Sequence, residues 1–161
     1  QKQLDDVLEA RFVWSEDEAK KLLDDGTPVL LDVDFYYGAW NHREATTLGL
    51  NRDLEHWNLG IVGYPEADSK DLVVSKKKPA GHSIVLVGYN DDEEIVVESE
   101  MKDGTLKEFR YKGVYYFKNS WGTDRLGMNA EIEGQKVLGY GRITQKYAHD
   151  FGSFYVWKWK R

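Results

Sequence analysis

The segment that most constrains this chain is Gly81-His82-Ser83-Ile84-Val85-Leu86-Val87-Gly88. The apolar run from Ser83 to Gly88 is bounded by glycines and reads as a buried strand. A buried strand needs neighbours, and the rest of the sequence supplies them. Val29 to Phe35 alternates, with Val29, Leu31, Val33 and Phe35 on one face and Leu30, Asp32 and Asp34 on the other. Glu94–Glu100 and Thr105–Tyr111 flank Asp103-Gly104, a hairpin signal, and Asn90–Glu93 reads as a turn. Val114–Asn119, Gly139–Thr144 and Ser153–Trp159 read as further strands.

A helix is predicted over Ser15–Leu23. Ser15 can cap it, Glu18 stands three residues on as in a capping box, and Ala19, Leu22 and Leu23 form an apolar stripe that Gly26 and Pro28 end. Tyr36–Lys78 has poor periodicity and five glycine or proline interruptions, Gly38, Gly49, Gly60, Gly63 and Pro65, and reads as loops with short pieces of structure. One N-terminal helix followed by antiparallel strands predicts an α+β fold with an antiparallel, β-barrel-like sheet. At 161 residues the chain suits one domain. Residues 15–161 are assigned to it, and residues 1–14 to a linker.

Charge and cysteine usage narrow the function. A diffuse net charge of −6 argues against a phosphate-binding surface, so nucleic acid is not an expected partner. The basic clusters Lys76–Lys78 and Lys158, Lys160 and Arg161 read as solvated loop and terminus. The apolar stretches are too short to cross a bilayer, so no membrane partner is expected. With no cysteine the chain has no disulfide, no thiolate metal site and no thiol nucleophile. The histidines and carboxylates show no metal-ligand spacing, and neither metal nor cofactor is expected. The chain opens with Gln1, not Met, so the expectation is a piece of a longer product with any targeting segment upstream.

His82 stands apart from His42, His56 and His149, which read as structural or surface residues. At the mouth of the buried strand it can be held by the sheet while its ring faces a cleft, and near neutrality an imidazole can accept and return a proton. Taken alone, it reads more readily as an ordinary strand-end histidine. Asn119, in Lys118-Asn119-Ser120-Trp121-Gly122, changes that balance. An asparagine carbonyl can accept the ring N–H and fix the tautomer, and Trp121 can keep water from that bond.

These stretches, with Gly139-Tyr140-Gly141-Arg142-Ile143, resemble the papain family of cysteine peptidases and follow its order. Ala19–Val33 and Asn58–Val62 are similar to the family's entry into its second domain. The resemblance implies that this chain is the His/Asn-bearing, right-hand domain of a two-domain fold. His82 would be the catalytic base, Asn119 its orienter and Trp121 its shield. The nucleophile would lie about 130–150 residues before the His and Asn motifs, on a missing cysteine-bearing N-terminal domain or chain. Gln1 and Gln3 do not qualify as the family's oxyanion glutamine.

With that partner the implied activity is hydrolysis of a peptide or protein substrate, and alone the chain would be inactive. A degenerate domain kept for binding or inhibition is the alternative. A secreted, periplasmic or lysosome-like compartment follows by resemblance only. Gly81, Ser83 and Asp32 would border a substrate pocket, with Asp32 or Asp34 favouring a basic side chain. Tyr36, Tyr37, Trp40 and Trp57 are candidates for an exposed docking patch. The charged hairpin Asn90–Lys112, and Thr123–Gly127 in place of a second tryptophan-glycine, depart from the family pattern and read as surface elaborations.

Overall fold

The computed structural model describes residues 8–159. In chain order the strands are β1 (Leu8–Val13), β2 (Val29–Asp34), β3 (Ile61–Val62), β4 (Gly81–Glu100), β5 (Leu106–Lys118), β6 (Glu131–Ile132), β7 (Gln135–Lys136), β8 (Tyr140–Thr144) and β9 (Gly152–Trp159). The helices are α1 (Glu16–Asp24), α2 (Glu44–Thr47), α3 (Leu54–Leu59), α4 (Lys70–Lys76) and α5 (Gln145–Phe151). Seven strands form one sheet in the order β1-β9-β2-β4-β5-β8-β3. Its neighbours are antiparallel except for the short parallel pair β3 and β8.

The α+β class holds, with two corrections. The sheet does not close into a barrel, because its two end strands, β1 and β3, are not paired with each other. The helices described are five, not one. Three of the additional ones are short pieces of the irregular stretch, and two of these, α3 and α4, are capped: Asp53 accepts from the N–H of His56 and Ser69 from that of Leu72, each supplying an orphan donor with a partner. The fourth, α5, is capped by Thr144, whose side chain accepts from Tyr147 N–H.

Of the stretch assigned to a linker, Leu8–Val13 forms β1, paired with Phe154–Trp159 of β9. Gln1, Gln3, Lys160 and Arg161 lie outside the described residues. In α1 the Ser15 side chain accepts from Glu18 N–H at 3.1 Å, while the Glu18 carboxylate reaches Trp14 N–H instead of Ser15. Ala19 and Leu23 carry its buried face.

Alternation in β2 buries Val29, Leu31 and Val33 against Ile84 and Leu86 of β4, Phe117 of β5 and Phe154 and Val156 of β9. The buried-strand reading of Ser83–Gly88 holds on one face only: Ile84 and Leu86 are in the core, while Val85 and Val87 are 37% and 44% exposed. Asn90–Glu93 is not a turn. The two strands continue past it with a register shift, pairing Glu94 with Lys112 through Glu100 with Leu106. Asn90 Oδ1 accepts from Asp92 and Glu93 N–H, so the irregularity supplies its own partners. The hairpin at Asp103-Gly104 is therefore the far end of β4 and β5.

One buried carboxylate does not help the fold at neutral pH. Glu66 is 9% exposed, its Oε1 has no hydrogen-bond partner among the described residues, and burial raises its pKa to about 7. A carboxyl whose folded pKa lies above its unfolded value stabilises fully below the unfolded value, and that contribution is lost as pH rises through the folded one. Glu66→Gln is therefore expected to raise the melting temperature relative to the parent at pH 8 and to change it little at pH 4. A difference that does not grow with pH would contradict this.

Candidate functional site

His82 enters the site through sheet pairing. In β4 it lies opposite Val33 of β2, on the same face as Ile84 and Leu86, so its ring is directed to the core side at the strand's end. Asn119 follows the last residue of β5, where Lys118 pairs with Val85, and its N–H donates to Gly139 C=O at 3.1 Å. Two adjacent strands thus end with His82 and Asn119 side by side. His82 Nε2 lies 2.9 Å from Asn119 Oδ1, which also accepts from Ser120 N–H at 2.8 Å.

Because Oδ1 can only accept, Nε2 carries the proton and Nδ1 is the free lone pair of the neutral ring. His82 Nδ1 makes no hydrogen bond among the described residues. Burial lowers the His82 pKa, partly opposed by the bond to Asn119. The net lowering favours the neutral ring, whose basic nitrogen is Nδ1. Asn119 is itself buried, and its Nδ2 has no partner among the described residues.

Aromatic residues complete the setting. The Trp121 ring stacks on His82 at 4.5 Å and 27°. Trp40 and Phe35 meet the imidazole edge-on at 5.3 Å and 6.0 Å. The stack runs on from Trp121 to Trp57 at 6.0 Å, and the Arg52 guanidinium lies over Trp57 at 5.3 Å. His42 joins the cluster 5.6 Å from Trp121. Nothing in the sequence marks Phe35 or His42 as part of the cluster around His82. They stand about forty positions upstream.

The aromatic docking patch expected from Tyr36, Tyr37, Trp40 and Trp57 is not a surface. The first three are buried, Trp40 completely, and Trp57 is partly buried against the core. Of the four, Trp40 meets the His82 ring directly, while Tyr37 and Trp57 pack against the aromatic groups around it. Exposed aromatics lie elsewhere: Phe12, Trp14 and Trp157 are 43%, 80% and 57% exposed, on and beside the edge strand β1 and its neighbour β9.

Asp32, Gly81, Ser83 and His82 border one concavity of about 740 Å³, with Ser120 and Asp150 on its rim. Asp32 is hydrogen-bonded to the Ser83 hydroxyl. Strand alternation places both of these side chains on the face opposite the His82 ring, since Asp32 pairs with Ser83 and Val33 with His82. That geometry gives Asp32 no direct line to the imidazole.

His56 sits in α3 beside its Asp53 cap, and His149 in α5 meets the Tyr115 hydroxyl at 2.7 Å. Among the described residues no group of three or more His, Asp and Glu side chains is placed to hold a metal ion. No helix among them is long and apolar enough to cross a membrane.

Comparison with known families finds one match, to the Peptidase_C39 like family, over residues 4–126. This covers more than half of the chain and takes in His82, Asn119 and Trp121. No curated protein matches the sequence.

Proposed function

The chain belongs to the Peptidase_C39 like family, and on that premise we propose that it is the His/Asn-bearing, right-hand half of a papain-like cysteine peptidase whose thiol is supplied by another domain or chain. One observation carries the reading: His82 Nε2 is bonded to Asn119 Oδ1 at 2.9 Å beneath Trp121, leaving Nδ1 free. An ordinary strand-end histidine has no need of an acceptor that fixes its tautomer or of an indole that covers the bond.

The chemistry follows from the tautomer. A thiol brought to Nδ1 gives up its proton, and the imidazolium is held by the Asn119 carbonyl through Nε2–H. The thiolate attacks a peptide carbonyl carbon, the C–N bond breaks, and Nδ1–H protonates the departing amine. Nδ1 then takes a proton from water, whose oxygen attacks the thioester and releases the acid and the thiol. With no cysteine, this chain contributes the proton-transfer half of that cycle and no nucleophile.

The absence of cysteine also supports a second reading, a domain of this family retained for binding without catalysis. One experiment separates them. The pure chain is expected to release no product from a fluorogenic peptide. Mixed with its cysteine-bearing partner, identified from the coding sequence upstream of Gln1, it is expected to produce hydrolysis that a thiol alkylator abolishes. Turnover by the pure chain would overturn the peptidase-half reading. A mixture that binds peptide and never cleaves it would select the second.

A further inference from the structure

The segment between Phe35 and Trp40, two of the rings against His82, is held by side chains. From Tyr36 to Ala39, four successive backbone N–H groups bond to side chains and not to a ladder. Tyr36 donates to the Tyr147 hydroxyl at 3.2 Å, Tyr37 to Ser75 Oγ at 3.0 Å, and Gly38 and Ala39 to the two Asp71 carboxylate oxygens at 2.9 and 2.8 Å. Asp71 and Ser75 sit on α4 and fasten only the backbone. Tyr147, on α5, does more: its hydroxyl also accepts from Trp40 Nε1–H at 3.1 Å and donates to Asp34 C=O at 2.6 Å. One donor and two lone pairs are all a phenol offers, and all three are used. Tyr147 is fully buried, and burial drives its pKa well above the ordinary value, so the donor is always present.

We propose that Tyr147 is a positioning residue for His82: its hydroxyl fixes the Trp40 indole, and the indole holds the imidazole in the orientation in which Nε2 meets Asn119. The contact chain is continuous, from the Tyr147 hydroxyl to Trp40 Nε1 and from the Trp40 ring to the His82 ring at 5.3 Å. Trp40 also touches Phe35 and Trp121, the other two rings against His82. Tyr147 itself is neither paired with His82 nor part of the concavity's lining, so it acts through Trp40 and through the backbone on either side of Phe35. Its own place follows from the Thr144 cap, which accepts from Tyr147 N–H and donates to Gly63 C=O. The inference rests on the reading of His82 as the proton-transfer residue, but it is tested on the geometry of His82 alone.

Removing the hydroxyl leaves Trp40 Nε1–H, Tyr36 N–H and Asp34 C=O without partners in a dry interior, which draws in water or loosens the indole. Asp71 and Ser75 still hold the backbone, so the segment keeps its course while its tryptophan gains freedom. A looser wall hydrates the imidazole. The groups packed on it, Phe35, Trp40, Trp121 and Asn119, carry no charge, so a change in its hydration moves its titration; His42 is a nearby titratable group, and Asp32, Asp34 and Asp150 border the same concavity.

The test is an NMR titration of the His82 ring in the purified chain, in the parent, in Tyr147→Phe and in Ile95→Ala. Ile95 belongs to a separate core cluster and controls for general destabilisation. Tyr147→Phe is expected to raise the His82 midpoint by about half a unit or more and to speed exchange of the Trp40 indole proton, while Ile95→Ala changes neither. If Tyr147→Phe does not fold, Trp40→Phe, which keeps a ring and deletes the same hydrogen bond, is expected to shift the midpoint in the same direction. An unchanged midpoint in a folded variant, or an equal shift in Ile95→Ala, would overturn the proposal and leave the peptidase reading standing. A shifted midpoint in a chain that never supports hydrolysis would support the positioning role and remove the catalytic one.

Discussion

In the enzyme reassembled with its cysteine-bearing partner, His82→Ala is expected to lower kcat/KM by about 10³-fold or more, with the loss mainly in kcat. The imidazole is asked to serve twice, once to take the thiol proton and once to return it to the leaving amine. Positioned proton transfer is worth roughly 10²–10⁴-fold. A 10³-fold loss corresponds to about 4 kcal/mol of transition-state stabilisation. Asn119→Ala is expected to cost less, roughly 10- to 100-fold, because the base survives while its tautomer and orientation lose their anchor at 2.9 Å. That order is itself a test. A larger loss at Asn119 than at His82 would mean that the asparagine acts on substrate directly. Activity of His82→Ala within threefold of the parent would remove His82 from the mechanism.

The pairing of these two residues was legible because each stands at a strand end, and strand ends are marked locally. Ser83–Gly88 announces β4, Val114–Phe117 is a β-branched and aromatic run buried on both faces, and adjacent strands of one sheet bring their ends together. The wall behind the site was not legible, for a physical reason. Tyr36–Ala39 has no periodicity, and what orders it are Asp71, Ser75 and Tyr147, 32 to 111 residues away. A loop fastened by distant side chains carries no local sign of burial, so its aromatics read as readily for a docking surface as for a core.

The same contrast separates other elements. The turn signal at Asn90 was real, but its side chain satisfied two backbone donors and let both strands run on. β1 lay in a stretch with no strong pattern and exists because β9 offers it an edge. The failure of the sheet to close depends on β3, only two residues long and parallel to β8, a pairing no periodicity could announce.

Phe117→Ala is expected to destabilise the chain by about 3–5 kcal/mol, read as a displaced chemical-denaturation midpoint at unchanged slope. Phe117 has no exposed surface and lies in β5 between β4 and β8, opposite Leu86 on one side and Gly141 on the other. Its ring occupies the space above Gly141, where an added Cβ would come within 2.6 Å of it, and it meets Trp40 at 5.7 Å. Backbone on both sides is pinned by ladder hydrogen bonds, so the sheet cannot collapse into the void. The cost is then the transfer of a benzyl group plus nearly the whole cavity. Against a typical total of about 5–15 kcal/mol this is a large share. Val87→Ala on the outer face, already 44% exposed, is expected to cost well under about 1 kcal/mol. Phe117 precedes Asn119 by two residues and borders Trp40, so the cavity also opens beneath the site. The His82 titration should therefore move in Phe117→Ala and stay fixed in Val87→Ala. Equal stability losses in the two variants would mean that the packing around β5 does not decide the fold.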